Sequence, residues 1–303
     1  MAVISTKRLT KHYGKTPALL DLDLEVEAGE VFGYLGPNGS GKTTTIRLLL
    51  GLIRPTSGEA SVLGQDVQRD AVAIHRRLAY VPGDAALWPD LTGAETLHLL
   101  GRMHGSVDTA YAEELVELFD VDLSKRVRAY SKGNRQKLSL IAGLMTRAEL
   151  LILDEPTAGL DPLMEQVFRD CIRDVQSAGQ TVFLSSHSLA EVEALCGRVG
   201  ILRAGRLVEV GSLDEMRLHS SLAVEAWFGG RAVPDVKRVP GVWDVEVRDG
   251  VLRCQVDGPV AALLEVLANA GATRLVSREP SLEELFLRHY GSRSEQAGDK
   301  EQS

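Results

Sequence analysis

The sequence predicts an α/β protein: a parallel sheet covered by helices on both faces, with a smaller α+β domain behind it. Three observations carry that prediction. Short uninterrupted apolar runs at residues 31–35, 150–153 and 181–185 are separated by helical periodicity, the pattern of strands buried on both faces. Between Gly83 and Met145 the pattern turns mainly helical, with Leu138, Ile141, Ala142 and Met145 at the i, i+3, i+4, i+7 spacing of one buried face. After His219 strand-like runs return, two of them flanking Asp249-Gly250.

Taken in order, the strand at 31–35 runs into a glycine-rich turn and a helix from about 43 to 52. The helical stretch that follows, residues 84–145, reads as an insertion into the α/β core. A second strand at 150–153 and a third at 181–185 complete the sheet, and Gly179 stops the helix between them. Beyond 218, residues 222–228 form a first strand, and a two-residue turn at Asp249-Gly250 predicts a hairpin pairing Val247 with Leu252, Val245 with Cys254 and Trp243 with Val256. A helix follows with Val260, Leu263, Leu264 and Leu267 on one side, closed by Gly271, then a strand at 273–277. A last helix opens with the capping box Ser281 and Glu284 and buries Leu282, Leu285 and Phe286. The domains are therefore 1–218 and 219–290, and the polar, uncapped residues 291–303 read as a disordered tail.

Composition agrees and narrows the function. The 303 residues suit two domains at about 150 each, and with 44% of residues apolar there is material for an ordinary core. A net charge of −8 disfavours generic binding to nucleic acid. No apolar run approaches the roughly 20 residues of a spanning helix, and the first residues lack the apolar core of a signal peptide. Cys171, Cys196 and Cys254 are too scattered for a disulfide frame, and no His or Cys spacing supports zinc. These features predict a soluble cytoplasmic protein with its cysteines buried as small hydrophobes.

The chemistry lies in three strand ends. Gly36-Pro37-Asn38-Gly39-Ser40-Gly41-Lys42-Thr43 fully matches the phosphate-binding loop pattern and sits between a strand and a helix. Its glycines let backbone N–H groups, Thr44 included, converge on a phosphate. Lys42 supplies a point charge, the Thr43 hydroxyl a ligand for Mg²⁺, and the following helix its N-terminal dipole. Asp154 ends the apolar run 150–153, which places a second Mg²⁺ ligand at a strand's carboxyl end, with Glu155 beside it to polarise water. His187 follows the third strand and has the same address. By position alone, a packed or surface role for this histidine stays open.

These residues resemble the nucleotide-binding subunit of an ATP-binding cassette (ABC) transporter, over residues 1–218. The resemblance implies a P-loop NTPase core of ABC type with a helical subdomain, binding ATP with Mg²⁺ and hydrolysing it. It makes Tyr13 the adenine-stacking aromatic, and Ser131, Lys132, Gly133 and Asn134 the signature that reaches the γ-phosphate of a second copy. It places Asp161 on the loop between the two sites and gives His187 a γ-phosphate contact beside Lys42 and the catalytic Glu155. It implies a homodimer across two ATP molecules, docked on an integral membrane permease at the cytoplasmic face.

Two departures from the family pattern stand out. Gly83 replaces the usual Gln, so that either Asp84 takes its place or solvent completes the coordination. Lys132 stands where Gly is frequent. Residues 280–287 resemble the end of ABC-2-type exporter subunits, including antibiotic-resistance pumps, and residues 83–89 point the same way. This implies export, with the cargo unread. The alternatives are a soluble ABC protein acting on ribosomes or DNA and a nucleotide-gated module without useful hydrolysis. A GTPase is disfavoured because no Asn-Lys-x-Asp segment occurs.

Overall fold

A computed structural model describes residues 2–105, 107–218 and 222–278. The chain divides into two compact units at Gly211/Ser212. In chain order the first holds β1 (Ala2–Tyr13), β2 (Thr16–Glu27), β3 (Val31–Leu35), α1 (Lys42–Leu49), β4 (Ser57–Val62), β5 (Gln65–Asp66), α2 (Ala71–His75) and β6 (Leu78–Val81). It continues with α3 (Gly93–His104), α4 (Thr109–Leu118), α5 (Lys132–Leu144), β7 (Leu150–Asp154), α6 (Pro162–Ser177), β8 (Thr181–Ser186), α7 (Leu189–Leu195), β9 (Arg198–Arg203) and β10 (Arg206–Ser212).

The central sheet runs β10-β9-β3-β8-β7-β6, and the neighbours from β9 to β6 are parallel. Every residue of β3, β7 and β8 is buried, which is why these strands read as unbroken apolar runs. A second, antiparallel sheet, β2-β1-β4-β5, was not anticipated from the apolar runs. Its β2 alternates, with Leu22, Leu24 and Val26 buried and Asp21, Asp23 and Glu25 exposed, as a sheet with one wet face requires. Both sheets share one core, in which Ile4, Leu22, Phe32, Ile46, Ile152 and Phe183 meet. Helix α1 stops at Leu49, short of 52, because Gly51 takes the left-handed conformation (φ 65°) that closes a helix.

Three capped helices form the insertion. Thr92 and Glu95 make a capping box on α3, Asp108 caps α4 and Ser131 caps α5. The expected face of α5 is buried, and so are Ser139, Leu140 and Leu144, because this helix packs against β6 as well as α3 and α4. Asp161 caps α6 with Pro162 in its first turn, and Gly179 (φ 81°) follows its C-cap.

The second unit begins with α8 (Leu213–Leu218) and contains β11 (Leu222–Trp227), β12 (Val242–Arg248), β13 (Val251–Val256), α9 (Ala261–Asn269) and β14 (Arg274–Arg278). The sheet order is β12-β13-β11-β14, over a core of Val224, Phe228, Leu252, Cys254, Leu263 and Leu267. Asp249 and Gly250 both have positive φ, as a tight hairpin turn demands. The expected register holds at Val247–Leu252 and then fails. A bulge at Asp244 (φ 49°) pairs Trp243 with Gln255 and Val242 with Val256. The extra residue reverses the side-chain parity, so Val242 and Val245 both face the core while Trp243 is exposed. Val247, on the face of Val245 and opposite Leu252, is exposed because it stands at the turn end of the hairpin. Leu264 is likewise exposed, leaving Leu263 and Leu267 as the buried stripe of α9. The capping box at Ser281 and Glu284, the exporter-like stretch 280–287 and the tail 291–303 lie outside the described residues.

The three cysteines are free and buried, and burial pushes the Cys171 thiol up to about 12. Among the described residues no helix is long and apolar enough to cross a membrane.

Candidate nucleotide site

The parallel order brings the carboxyl ends of β3, β8 and β7 side by side, and the phosphate loop, Asp154, Glu155 and His187 gather there. The loop after β3 is tied down at both ends. The Gly36 N–H donates to the Ser186 carbonyl at 3.2 Å, and the Gly205 N–H to the Ser40 carbonyl at 2.9 Å. Pro37 accepts from the Ser40 N–H (3.1 Å), closing a turn that leaves Asn38 and Gly39 exposed. Gly41 has φ 114°, and a Cβ there would stand 2.6 Å from the Ala18 carbonyl oxygen, so the loop admits no side chain at this point. Helix α1 starts at the next residue with no side-chain cap and no acidic residue in its first turn. Its N-terminal amides, through Thr43 and Thr44, therefore offer a positive, donor-rich end to an anion. Ser40 Oγ is buried in the loop without a hydrogen-bond partner among the described residues.

Lys42 is 5% exposed, and its Nζ donates to the carbonyls of Gly36 (2.7 Å) and Pro37 (3.3 Å), which aims the ammonium over the loop. The same Nζ lies 3.2 Å from Glu155 Oε1, and Glu155 Oε2 lies 3.3 Å from His187 Nδ1. Glu155 reaches this position with an unusual backbone, φ 49°, held by its N–H to the Ser185 carbonyl at 3.0 Å. Asp154 is buried at the end of β7. Its Oδ2 accepts from the Thr43 hydroxyl at 3.0 Å and its Oδ1 from the Ser185 hydroxyl. Thr43 and Asp154 thus present hard oxygens at one point. No larger cluster of His, Cys, Asp or Glu is found among the described residues. That donor set fits Mg²⁺, which keeps waters and substrate phosphates as its remaining ligands and does not need an all-protein cage.

The other expected residues lie at the rim. Tyr13 ends β1, is 48% exposed, and has Lys11 Nζ 5.2 Å from its ring centre. It pairs with Thr16, two residues before the Ala18 carbonyl that abuts Gly41, so the hairpin tip stands beside the loop. Ser131 is exposed at the start of α5, its Oγ accepting from the Asn134 N–H, with Lys132 exposed and Gly133 half-buried next to it. Asp161 accepts the N–H groups of Leu163 and Met164 as a helix cap, a role any α6 of this kind needs. Asp84 is exposed and makes no hydrogen bond or ion pair among the described residues. It is Gly83 that approaches Asp154: a Cβ there would come 2.7 Å from the Asp154 carbonyl oxygen.

Two residues beside the site escaped sequence reasoning. Ser185, fully buried, orients Asp154. Glu191 on α7 accepts from the Ser186 hydroxyl, and burial pushes its carboxyl above the usual range. Glu191 and Ser186 share a cavity of about 250 Å³ with Glu155, Thr157, Arg169 and His187. Neither has a spacing signal, since both are ordinary residues whose place beside the site is decided by what packs on them.

Residues 19–158 match the ABC transporter family. The chain is 38% identical to the daunorubicin resistance ATP-binding protein DrrA3 of Streptomyces coeruleorubidus, over 91% of this chain and 92% of that one. It is 34% identical to the Nod factor export ATP-binding protein I of Cupriavidus metallidurans, over 96% and 98% of the two chains. A solved ATP-binding subunit of an ABC transporter superposes with a TM-score of 0.66 at 32% identity, covering 71% of this chain and 92% of that one. With a loop built for phosphate and relatives matched along almost their whole length, this chain belongs to the ATP-binding proteins of the ABC transporter family.

Proposed function

We propose that this chain binds and hydrolyses ATP to power a separate membrane permease that exports a drug-like or lipophilic compound. One observation carries the enzymatic part: the continuous contact from Thr43 through Asp154 and from Lys42 through Glu155 to His187, at adjacent strand ends. Lys42 and the N-terminal amides of α1 bind and neutralise the phosphates, with Tyr13 stacking on the base. Thr43 and Asp154 hold Mg²⁺, which when bound screens the phosphate charge that builds up during transfer. Glu155, held between Lys42 and His187, orients the attacking water through a carboxylate oxygen. His187 contributes a donor to the γ-phosphate. Catalysis is then positioning and electrostatics, with little covalent work for the protein.

Two copies pair head to tail, so that Ser131 and Gly133 of one meet the ATP held by the other, with Asp161 on the loop between the sites. The head-to-tail reading is supported by the exposure of Ser131 at an uncovered helix start. Export is supported by the relatives, one named for daunorubicin resistance and one for Nod factor export. The second unit, with its own core, serves as a brace or regulatory appendage, and the assembly sits at the cytoplasmic face of the membrane.

The decisive measurement is phosphate release by the purified chain with Mg²⁺ and ATP. Glu155→Gln should keep nucleotide binding, lose turnover by about 100-fold or more, and accumulate as an ATP-bound dimer. Undiminished turnover in that variant removes Glu155 from its role. Gly83, which offers no side chain to metal or water, favours a second reading in which ATP is bound and not usefully hydrolysed. Phosphate release that stops in Glu155→Gln rejects it.

A further inference from the structure

Gln136 joins three parts of the first unit through a side-chain amide whose partners are backbone carbonyls outside the residues assigned to nucleotide. It is 2% exposed and lies on α5, one turn beyond the Ser131 cap. Its Nε2 donates to the Pro156 carbonyl at 3.0 Å and reaches the Pro82 carbonyl at 3.5 Å. Pro156 directly follows Glu155, and Pro82 directly precedes Gly83.

Two close approaches flank this bond. A Cβ on Gly133 would stand 2.7 Å from the Gly159 carbonyl, and one on Gly83 would stand 2.7 Å from the Asp154 carbonyl. The carbonyls of Asp154, Pro156 and Gly159 are thus each met by α5 or by the loop after β6. The glycine contacts are matters of shape and permit sliding. The Gln136 bond is directional, an amide N–H aimed at one buried carbonyl, and it resists displacement along the contact.

We propose that Gln136 is a positioning residue, which sets α5 against the segment carrying Glu155 and so couples the presentation of Ser131 and Gly133 to the arrangement of residues 154–159. The signature then reaches a second copy in the correct orientation when Glu155 is seated between Lys42 and His187. Without the amide, the Pro156 carbonyl stays buried with no donor. That cost is relieved by α5 moving off the segment, which misplaces Ser131. The proposal rests on the head-to-tail dimer reading.

The test uses the full chain in the Glu155→Gln background, with and without Gln136→Met, which removes the donor at similar volume. Nucleotide affinity is read by titrating a fluorescent ATP analogue, and dimer formation by light scattering against ATP concentration. Affinity at the phosphate loop should change by less than about twofold, while ATP-driven dimerisation weakens by about tenfold. With Glu155 restored, kcat should fall with KM for ATP unchanged. Should Gln136→Met not fold, Gln136→Leu also removes the donor without adding a charge and should show the same split. Dimerisation equal with and without the amide overturns the proposal alone. No dimer in the Glu155→Gln parent overturns the dimer reading and the proposal with it.

Discussion

At the residue scale, Asp154 depends on a partner outside the motif that announces it. The Ser185 hydroxyl donates to Oδ1 and leaves Oδ2 to face Thr43, so the carboxylate has one orientation in which to meet a cation. Outer partners of this kind are worth about 10- to 100-fold in metal affinity or activity. Ser185→Ala should therefore raise the Mg²⁺ concentration needed for half-maximal ATP hydrolysis by about tenfold while leaving maximal turnover within a few-fold. An unchanged Mg²⁺ titration denies Ser185 the role. The contrast with Lys42 shows how far the sequence could be read at this scale. Lys42 and Thr43 hold fixed places in the loop pattern and Asp154 ends an apolar run, and both patterns can be recognised. Ser185 is a serine at a strand end, and its contact is decided by the neighbour β7, 31 residues away in the chain.

At the element scale, α7 carries a buried acid close to the site. Glu191 is 7% exposed, its Oε2 accepts from Ser186, and burial raises its affinity for a proton. The sign of the pH effect follows. The folded chain holds this proton at a pH where the unfolded chain has released it, so stability falls as pH rises from the ordinary carboxylate range through the raised folded value, and is level above it. Glu191→Gln removes that slope. Melting temperatures of parent and variant should converge at low pH and separate above it, with the Gln variant the more stable at neutral pH. A constant difference across the range excludes Glu191 as the source. Legibility also divides by element. Strands β3, β7 and β8 could be read from composition because burial on both faces demands unbroken apolar runs. The bulge at Asp244 could not, because a single residue in the left-handed conformation changes parity without altering the alternation on either side of it.

At the scale of the whole molecule, the head-to-tail dimer we propose gives each chain a phosphate loop and a signature exposed at the start of its own helix, and under that proposal a complete site takes two copies in a two-fold arrangement. That geometry makes an arithmetic prediction. Lys42→Ala disables the loop of a chain and spares its signature, whereas Ser131→Arg blocks the signature and spares the loop. Each variant alone should be nearly inactive. In an equimolar mixture, random pairing makes half the dimers mixed. In a mixed dimer one site joins the intact loop of the Ser131→Arg chain to the intact signature of the Lys42→Ala chain, and the other site combines both defects. Phosphate release should then recover to about a quarter of the parent rate at equal total protein, if the two sites turn over independently. Recovery should require ATP at concentrations that drive dimer formation, and it should be lost on dilution. A mixture no more active than its components would mean that each chain completes its own site, or that one intact site cannot turn over beside a broken one. The concentration dependence of the parent separates the two: a specific activity independent of protein concentration belongs to the first, and one that rises with it belongs to the second.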